Sequence, residues 1–547
     1  MTENSNKKSE LHKIADKLTE DIQCMTNYKN LYNEIQRLVA SSSVKKEDFK
    51  STLFKALNDE GLETELRNTV FHWTRSQKFM KDDNDNRADL SYLKKAQIQW
   101  ERRIQKSLNS ICNELNVPLA RIRPNSDRDE LSEKWNELST CDFADLSQYR
   151  PLYAPKDFLE VLFSVRDPSF KKQVNEPNWE FSHIEIRVKT LAQLRDMYKE
   201  LSQGVTLLGV NGNIPSLQNY PNLENERVHV GAKVLMSNHA PVAQEFLKRG
   251  APRALRGKLW SLVLGSIVKQ NDIEYYEELK EMVLQYDIMV DKLIIKDVQL
   301  TASNDDQYFV FEDVLYKTML SFSRDSEVLA PVTMDKSAGG QVIHAVLQGK
   351  PTTLENTLVF PPSGVIPFHG FTMYGMILEI KYFYFFSTFE LYVFAATPFC
   401  YLYDDPCTMY YTFRAFYLRY WFRLHTVSSH EQGIVALCLL FERLLQCHEP
   451  QLWAHFRNLH IQPIKIVFKW LMRGFSGHLP PEQLLYLWDL ILGYDSLEIV
   501  PLLAVTILSF RKDNLMQVNN LHTIEAVLAD LSSLKVMPLL QLSLLEN

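Results

Sequence analysis

Three short stretches carry residue types that do chemistry elsewhere, and their spacing decides what each can do here. Gly349-Lys350-Pro351-Thr352 has the lysine of a phosphate-binding loop, but no glycine stands five residues before Gly349, and Pro351 fills the slot of the magnesium-holding Ser or Thr. Nucleotide binding of that kind is excluded. Gly474-Phe475-Ser476-Gly477-His478 lacks the second glycine of a nucleophile elbow, so Ser476 reads as a loop residue and hydrolase chemistry is set aside. His448, His455 and His460 are seven and five residues apart, which does not bring two imidazoles to one helical face. No metal site and no cofactor of the chain's own are expected.

The elements that position the remaining candidates follow from composition and periodicity. The chain has 547 residues, with 60 Lys+Arg against 67 Asp+Glu and a formal net charge of −7. Apolar residues make up 46%, which excludes a disordered tail, and the acidic balance excludes a general nucleic-acid binder. Seven scattered cysteines without a Cys-x-x-Cys pair, and a polar N-terminus without the apolar core of a secretory signal, point to a cytoplasmic protein. From Ile366 to Tyr403 the text is crowded with aromatics, but Glu379, Lys381 and Glu390 cut it too short for a membrane span. It reads as a segment buried in protein.

The pattern is all-α: a mainly helical N-terminal region precedes a multi-helix C-terminal domain. Residues 1–120 read as a helical domain whose last helix carries the stripe Leu93, Ala96, Trp100, Ile104, Leu108, Ile111 and Leu115. Lys94, Lys95, Arg102, Arg103 and Lys106 on that helix read as a solvated face. Residues 121–203 are mixed and mainly helical. The interval 204–241, with Gly204, Gly209, Gly212, Pro215 and Pro221, reads as a linker. The C-terminal domain spans 242–515, and 516–547 is a helical tail.

The domain opens on a helix, a Gly250-Ala251-Pro252 turn, and a new helix that drives Leu255, Leu259 and Trp260 inward beside Arg256. This text resembles the opening of the TBC domain, the all-helical Rab GTPase-activating fold. Ile294-Ile295-Lys296-Asp297-Val298-Gln299-Leu300-Thr301 is similar to the family's Ile-x-x-Asp-x-x-Arg-Thr segment. Phe441-Glu442-Arg443-Leu444-Leu445, Trp470 with Phe475, and Leu484-x-x-Leu487-Trp488-Asp489 resemble its C-terminal helices, in family order over roughly residues 246–515.

The resemblance implies a Rab-family small GTPase as partner, whose own GTP and Mg²⁺ form the reacting centre, and a cytoplasmic protein peripheral on endomembranes in vesicle traffic. It also implies two catalytic fingers. An arginine from the Asp-x-x-Arg segment meets charge on the phosphoryl oxygens, an effect worth roughly 10³ to 10⁵ in rate when supplied in trans. A glutamine from a Tyr-x-Gln-Gly-Met segment orients the water.

This chain departs from both. Leu300 occupies the arginine position, and no arginine lies between Arg256 and Arg324. Lys296 is a point charge without a planar donor fork. No glutamine lies between Gln348 and Gln432, so His369, beside Gly370, is the candidate water-orienting group, against a packed structural role for the same residue. Asp297 and Thr301 are expected to fix the finger segment. Extra residues near 326–365 and 375–395 interrupt the domain. Two functions stand open: a GTPase activator working through non-standard groups, and an inactive pseudo-activator that holds a Rab as a scaffold. The partner of the N-terminal helices is unknown at this stage.

Overall fold

The computed structural model describes residues 26–40, 46–59, 61–81, 90–141, 152–165, 184–201, 223–302, 309–328, 343–346, 357–360 and 402–544, with positions 19, 23, 181, 399 and 400. The chain is all-helical in architecture. In the N-terminal half run α1 (Thr26–Ala40), α2 (Lys46–Asp59), α3 (Leu62–Lys81), α4 (Ser91–Leu115), β1 (Ala120–Ile122), α5 (Asn125–Glu133), α6 (Pro155–Ser164) and α7 (Leu191–Met197). Next come α8 (Leu223–Ser237), α9 (Ala240–Leu247), α10 (Arg256–Leu264), α11 (Gln270–Gln285), β2 (Tyr286–Ile288), α12 (Met289–Ala302) and α13 (Phe309–Phe322). The last part holds α14 (Pro406–Arg419), α15 (Ile434–His448), α16 (Pro450–Asn458), α17 (Pro463–Met472), α18 (Pro481–Tyr494), α19 (Ile499–Phe510), α20 (Lys512–Leu515), α21 (Leu521–Val527) and α22 (Val536–Leu544).

Two short antiparallel ladders are the β structure among the described residues. β1 pairs with β2, and β3 (Ile343–Val346) pairs with β4 (Thr357–Phe360) inside the 326–365 stretch. The interval 204–241 carries helix from Leu223 on. After Pro221 its Gly and Pro residues are Gly231 and Pro241, and Leu223-Glu224-Asn225-Glu226-Arg227 puts acidic residues in a first helical turn, which the dipole favours. Positions 361–398, with the aromatic run, the 375–395 stretch, His369 and Gly370, lie outside the described residues, as does the Gly349–Thr352 stretch.

The core is built on helices that are apolar all round. Every residue from Ile499 to Leu508 of α19 is buried, as is every residue from Gln483 to Gly493 of α18, the pattern of helices enclosed by others. A Cβ at Gly493 would stand 2.6 Å from the backbone nitrogen of Lys248, so glycine is what lets the end of α9 cross α18 so closely.

The same core continues into the N-terminal half. On α4 the residues Leu93, Ala96, Trp100, Ile104, Leu108 and Ile111 are buried, one face at steps of three and four. Trp100 meets Tyr153 edge-on at 4.9 Å and stacks on Phe158 of α6 at 5.2 Å, and Phe158 in turn meets Phe468 of α17 at 6.2 Å. Polar contacts follow the same path. Glu442 accepts from the Phe181 backbone N–H at 2.8 Å, and Lys189 reaches Glu498 at 2.6 Å. On the opposite face of α4, Lys95, Arg102, Arg103 and Lys106 are exposed and Lys94 is half-buried.

Candidate functional site: the Asp489 frame and the finger helix

The opening turn and Trp260 converge on one carboxylate, that of Asp489. Gly250 takes φ +80°, a conformation that disfavours any side chain, and Pro252 follows it just ahead of α10. This places Arg256 and Trp260 on the buried side of α10, facing Asp489 of α18. Asp489 Oδ2 accepts from the Ala251 backbone N–H at 2.9 Å and from Arg256 Nε at 3.0 Å, while Oδ1 accepts from Trp260 Nε1 at 2.7 Å. Arg256 Nη2 also donates to the Ala251 carbonyl at 2.9 Å. The carboxylate is fully enclosed. Burial pushes the Asp489 carboxyl above its ordinary range, against the pull of Arg256, the Ala251 amide and Trp260.

Around this polar centre the rings close. Trp260, Phe416, Trp421 and Trp488 pack in sequence, with centroids 5.6 Å apart for Trp260 and Phe416, 4.6 Å for Phe416 and Trp421, and 5.0 Å for Trp421 and Trp488. Trp488 Nε1 donates to the Gly474 carbonyl at 3.1 Å. That bond ties α18 to a turn in which Gly474, Phe475 and Gly477 all have positive φ, and Phe475 stacks on Trp470 at 5.5 Å. Ser476 sits in the same turn with no exposure, so no substrate reaches it. Gly250, Pro252, Arg256, Trp260, Trp470, Trp488 and Asp489 thus form one frame around Asp489 and the Gly474 turn.

The segment that resembles the family's finger motif is built separately. Ile294 and Asp297 are buried on α12, and Leu300 and Thr301 lie in the last turn of that helix. The start of α12 is pinned by groups that the motif did not single out. Asp291 takes a two-pronged contact from Arg324, Nη1 to Oδ1 at 2.7 Å and Nη2 to Oδ2 at 2.6 Å, and Arg324 Nη2 also reaches the Tyr286 carbonyl at 2.9 Å. The Arg324 guanidinium is therefore engaged at the beginning of the helix, with Asp291 just inside it. Asp287 is held from two sides, by Arg121 at 2.7 Å and Lys292 at 3.6 Å. The sequence signal for these groups is slight: Asp287 and Asp291 are four apart, and Arg121-Ile122-Arg123 is too short to mark a strand.

The three histidines do not meet as a metal site. His455 Nε2 lies 3.0 Å from the Val518 carbonyl, His460 occupies a left-handed turn position, and His448 ends α15. Among the described residues no cluster of His, Cys, Asp and Glu has the arrangement of a metal site. Among them, too, no helix is long and apolar enough to cross a membrane.

Comparison with known proteins gives the class to which this helical chain belongs. The Rab-GTPase-TBC domain family matches residues 392–516. The human protein "TBC1 domain family member 19" is 44% identical over 536 residues, covering 94% of this chain and 95% of that relative. The chain belongs to the TBC domain family, and the kinship includes the N-terminal half. Among solved structures, the Chlamydomonas flagellar RabGAP TBC domain gives a TM-score of 0.39 at 13% identity, over 66% of this chain and 98% of that one. The Ypt/Rab-GAP domain of Gyp1p gives 0.35 at 12% identity, over 56% and 90%.

Proposed function

We propose that this protein regulates a Rab-family small GTPase by docking its GTP-loaded form on the TBC domain, and that it acts as a GTPase activator without an arginine from α12. Membership of the family supports the partner class. The observation that carries the second clause is Leu300 in the last turn of α12, together with the engagement of Arg324 by Asp291 and of Arg256 by Asp489. A leucine cannot stabilise charge on the phosphoryl oxygens, and neither buried guanidinium can leave its carboxylate without stranding it at a cost of roughly 3–5 kcal/mol. Stimulation of hydrolysis then depends on water positioning, for which His369 is the candidate, and on ordering of the partner's own groups. GTP and Mg²⁺ belong to the partner.

The same leucine favours a second reading, a Rab-binding scaffold in membrane traffic that does not accelerate hydrolysis. Docking would then place the protein at the cytoplasmic surface of endomembranes through the Rab. Single-turnover GTP hydrolysis on a panel of Rabs, with wild type beside His369→Ala, separates the two. Acceleration that falls in His369→Ala supports the activator, and binding with an unchanged hydrolysis rate supports the scaffold.

A further inference from the structure

The strand that leads into the finger helix is completed by the other half of the chain. β1 runs antiparallel to β2 with Arg121 opposite Asp287, and the ladder extends beyond both strands. The Arg123 N–H donates to the Gln285 carbonyl at 2.9 Å, and the Met289 N–H donates to the Leu119 carbonyl at 3.0 Å. Met289 is the first residue of α12, where a helix cannot satisfy its own N–H groups, so a backbone group of the N-terminal half takes up one of them.

Side chains repeat the link. Arg121 Nε donates to Asp287 Oδ2 at 2.7 Å, and Asp287 Oδ1 lies 3.6 Å from Lys292 Nζ on α12. One carboxylate therefore joins β1 to the finger helix. Burial pushes the Asp287 carboxyl up, but Lys292, Arg121 and Arg123 outweigh it and hold it below its usual range.

Behind α12 the N-terminal half also grips α13. The Ser139 N–H donates to Asp313 Oδ1 at 2.7 Å, Lys317 Nζ donates to Asn136 Oδ1 at 3.1 Å, and Leu138 is fully buried. No residue from Asp287 to Gln299 is exposed. Residues 119–121 thus meet the start of α12, and residues 136–139 meet α13.

We propose that β1, with Arg121 as the positioning residue, sets where α12 presents position 300, so that affinity for the GTP-loaded partner depends on a contact made by the N-terminal half. The claim rests on the docking reading above, and its test separates the two. In the full-length protein, Arg121→Glu sets a carboxylate against Asp287, and Arg121→Lys keeps the charge. Amide hydrogen exchange at 289–299 is compared with exchange at 484–492 in α18, and the Kd for a GTP-loaded Rab is measured alongside.

Arg121→Glu is expected to speed exchange at 289–299 and to weaken Rab binding by about fivefold each, the scale of one ion pair with an exposed arginine, with 484–492 unchanged. Arg121→Lys is expected to return both to near wild type. Unchanged exchange at 289–299 in Arg121→Glu overturns the proposal, and so does faster exchange with unchanged affinity. If wild type binds no GTP-loaded Rab, the docking reading and the coupling to affinity both fail, while exchange still decides whether β1 holds the helix.

Discussion

Asp489 and Asp287 are both buried carboxylates that receive an arginine, yet they stand in different surroundings. Asp489 is met by Arg256, Trp260 and the Ala251 amide, all from one side of the chain, and the Arg256 side chain is only 3% exposed. Asp287 is met by Arg121 from the far half, and that side chain is 42% exposed. The first site is closed on itself, and desolvation governs its carboxyl. The second is a joint, where cations from two segments govern it. Gly250, Arg256, Trp260 and Asp489 thus build the closed frame, whereas α12 is tied at its start by Arg121 and Arg324 through Asp287 and Asp291.

The largest effect expected is at the frame. Asp489→Ala strands Arg256 in the interior and should lower stability by about 3–5 kcal/mol, read as the shift in urea unfolding. A change under about 1 kcal/mol would mean that the site is not closed. Next comes the junction of the halves, where Phe158→Ala empties the space between Trp100 and Phe468. A loss of about 3 kcal/mol with a single unfolding transition is expected if the halves share one core, and two separate transitions would break the comparison.

A smaller effect is expected from pH. His430 accepts from the Gln432 backbone N–H at 2.9 Å through Nδ1, and burial, aided by Arg423, lowers its pKa to about 3. The folded state therefore holds it neutral where the unfolded chain, near 6.5, takes up a proton. Its contribution is fully present above about pH 6.5 and is lost as pH falls toward 3, amounting to about 2 kcal/mol by pH 5. His430→Gln should flatten that part of the stability curve. Smallest of all, Lys95→Glu on the exposed face of α4 should change stability by no more than about 0.5 kcal/mol in a thermal melt.

Much of this was legible in the amino-acid text, for a physical reason. The stripe of α4 repeats every three or four residues, and that period alone tells which face is buried. Gly250 and Pro252 mark a turn with Trp260 facing inward after it, and Trp488 and Asp489 stand out through the family resemblance. What was hidden depends on distance along the chain. Nothing local to Trp100 or Phe158 announces Phe468, and Arg121 meets a carboxylate 166 residues away. A strand of three residues carries too little alternation to stand out, so β1 was missed among mixed text. The helix at Leu223–Ser237 follows a Gly- and Pro-rich stretch so closely, just after Pro221, that composition alone does not separate the two. Asp297 is the motif aspartate, whereas the ion pairs at the start of the helix are made by Asp287 and Asp291.

The central claim is that the frame is complete while the finger position is empty of charge, and Leu300→Arg tests it most directly. Wild type and Leu300→Arg are compared in single-turnover hydrolysis on a GTP-loaded Rab that both bind. The account predicts that docking is retained, with faster hydrolysis in Leu300→Arg as the guanidinium reaches the phosphoryl oxygens. A wild-type acceleration already at the roughly 10³- to 10⁵-fold level of an arginine supplied in trans, unchanged by the substitution, would contradict it.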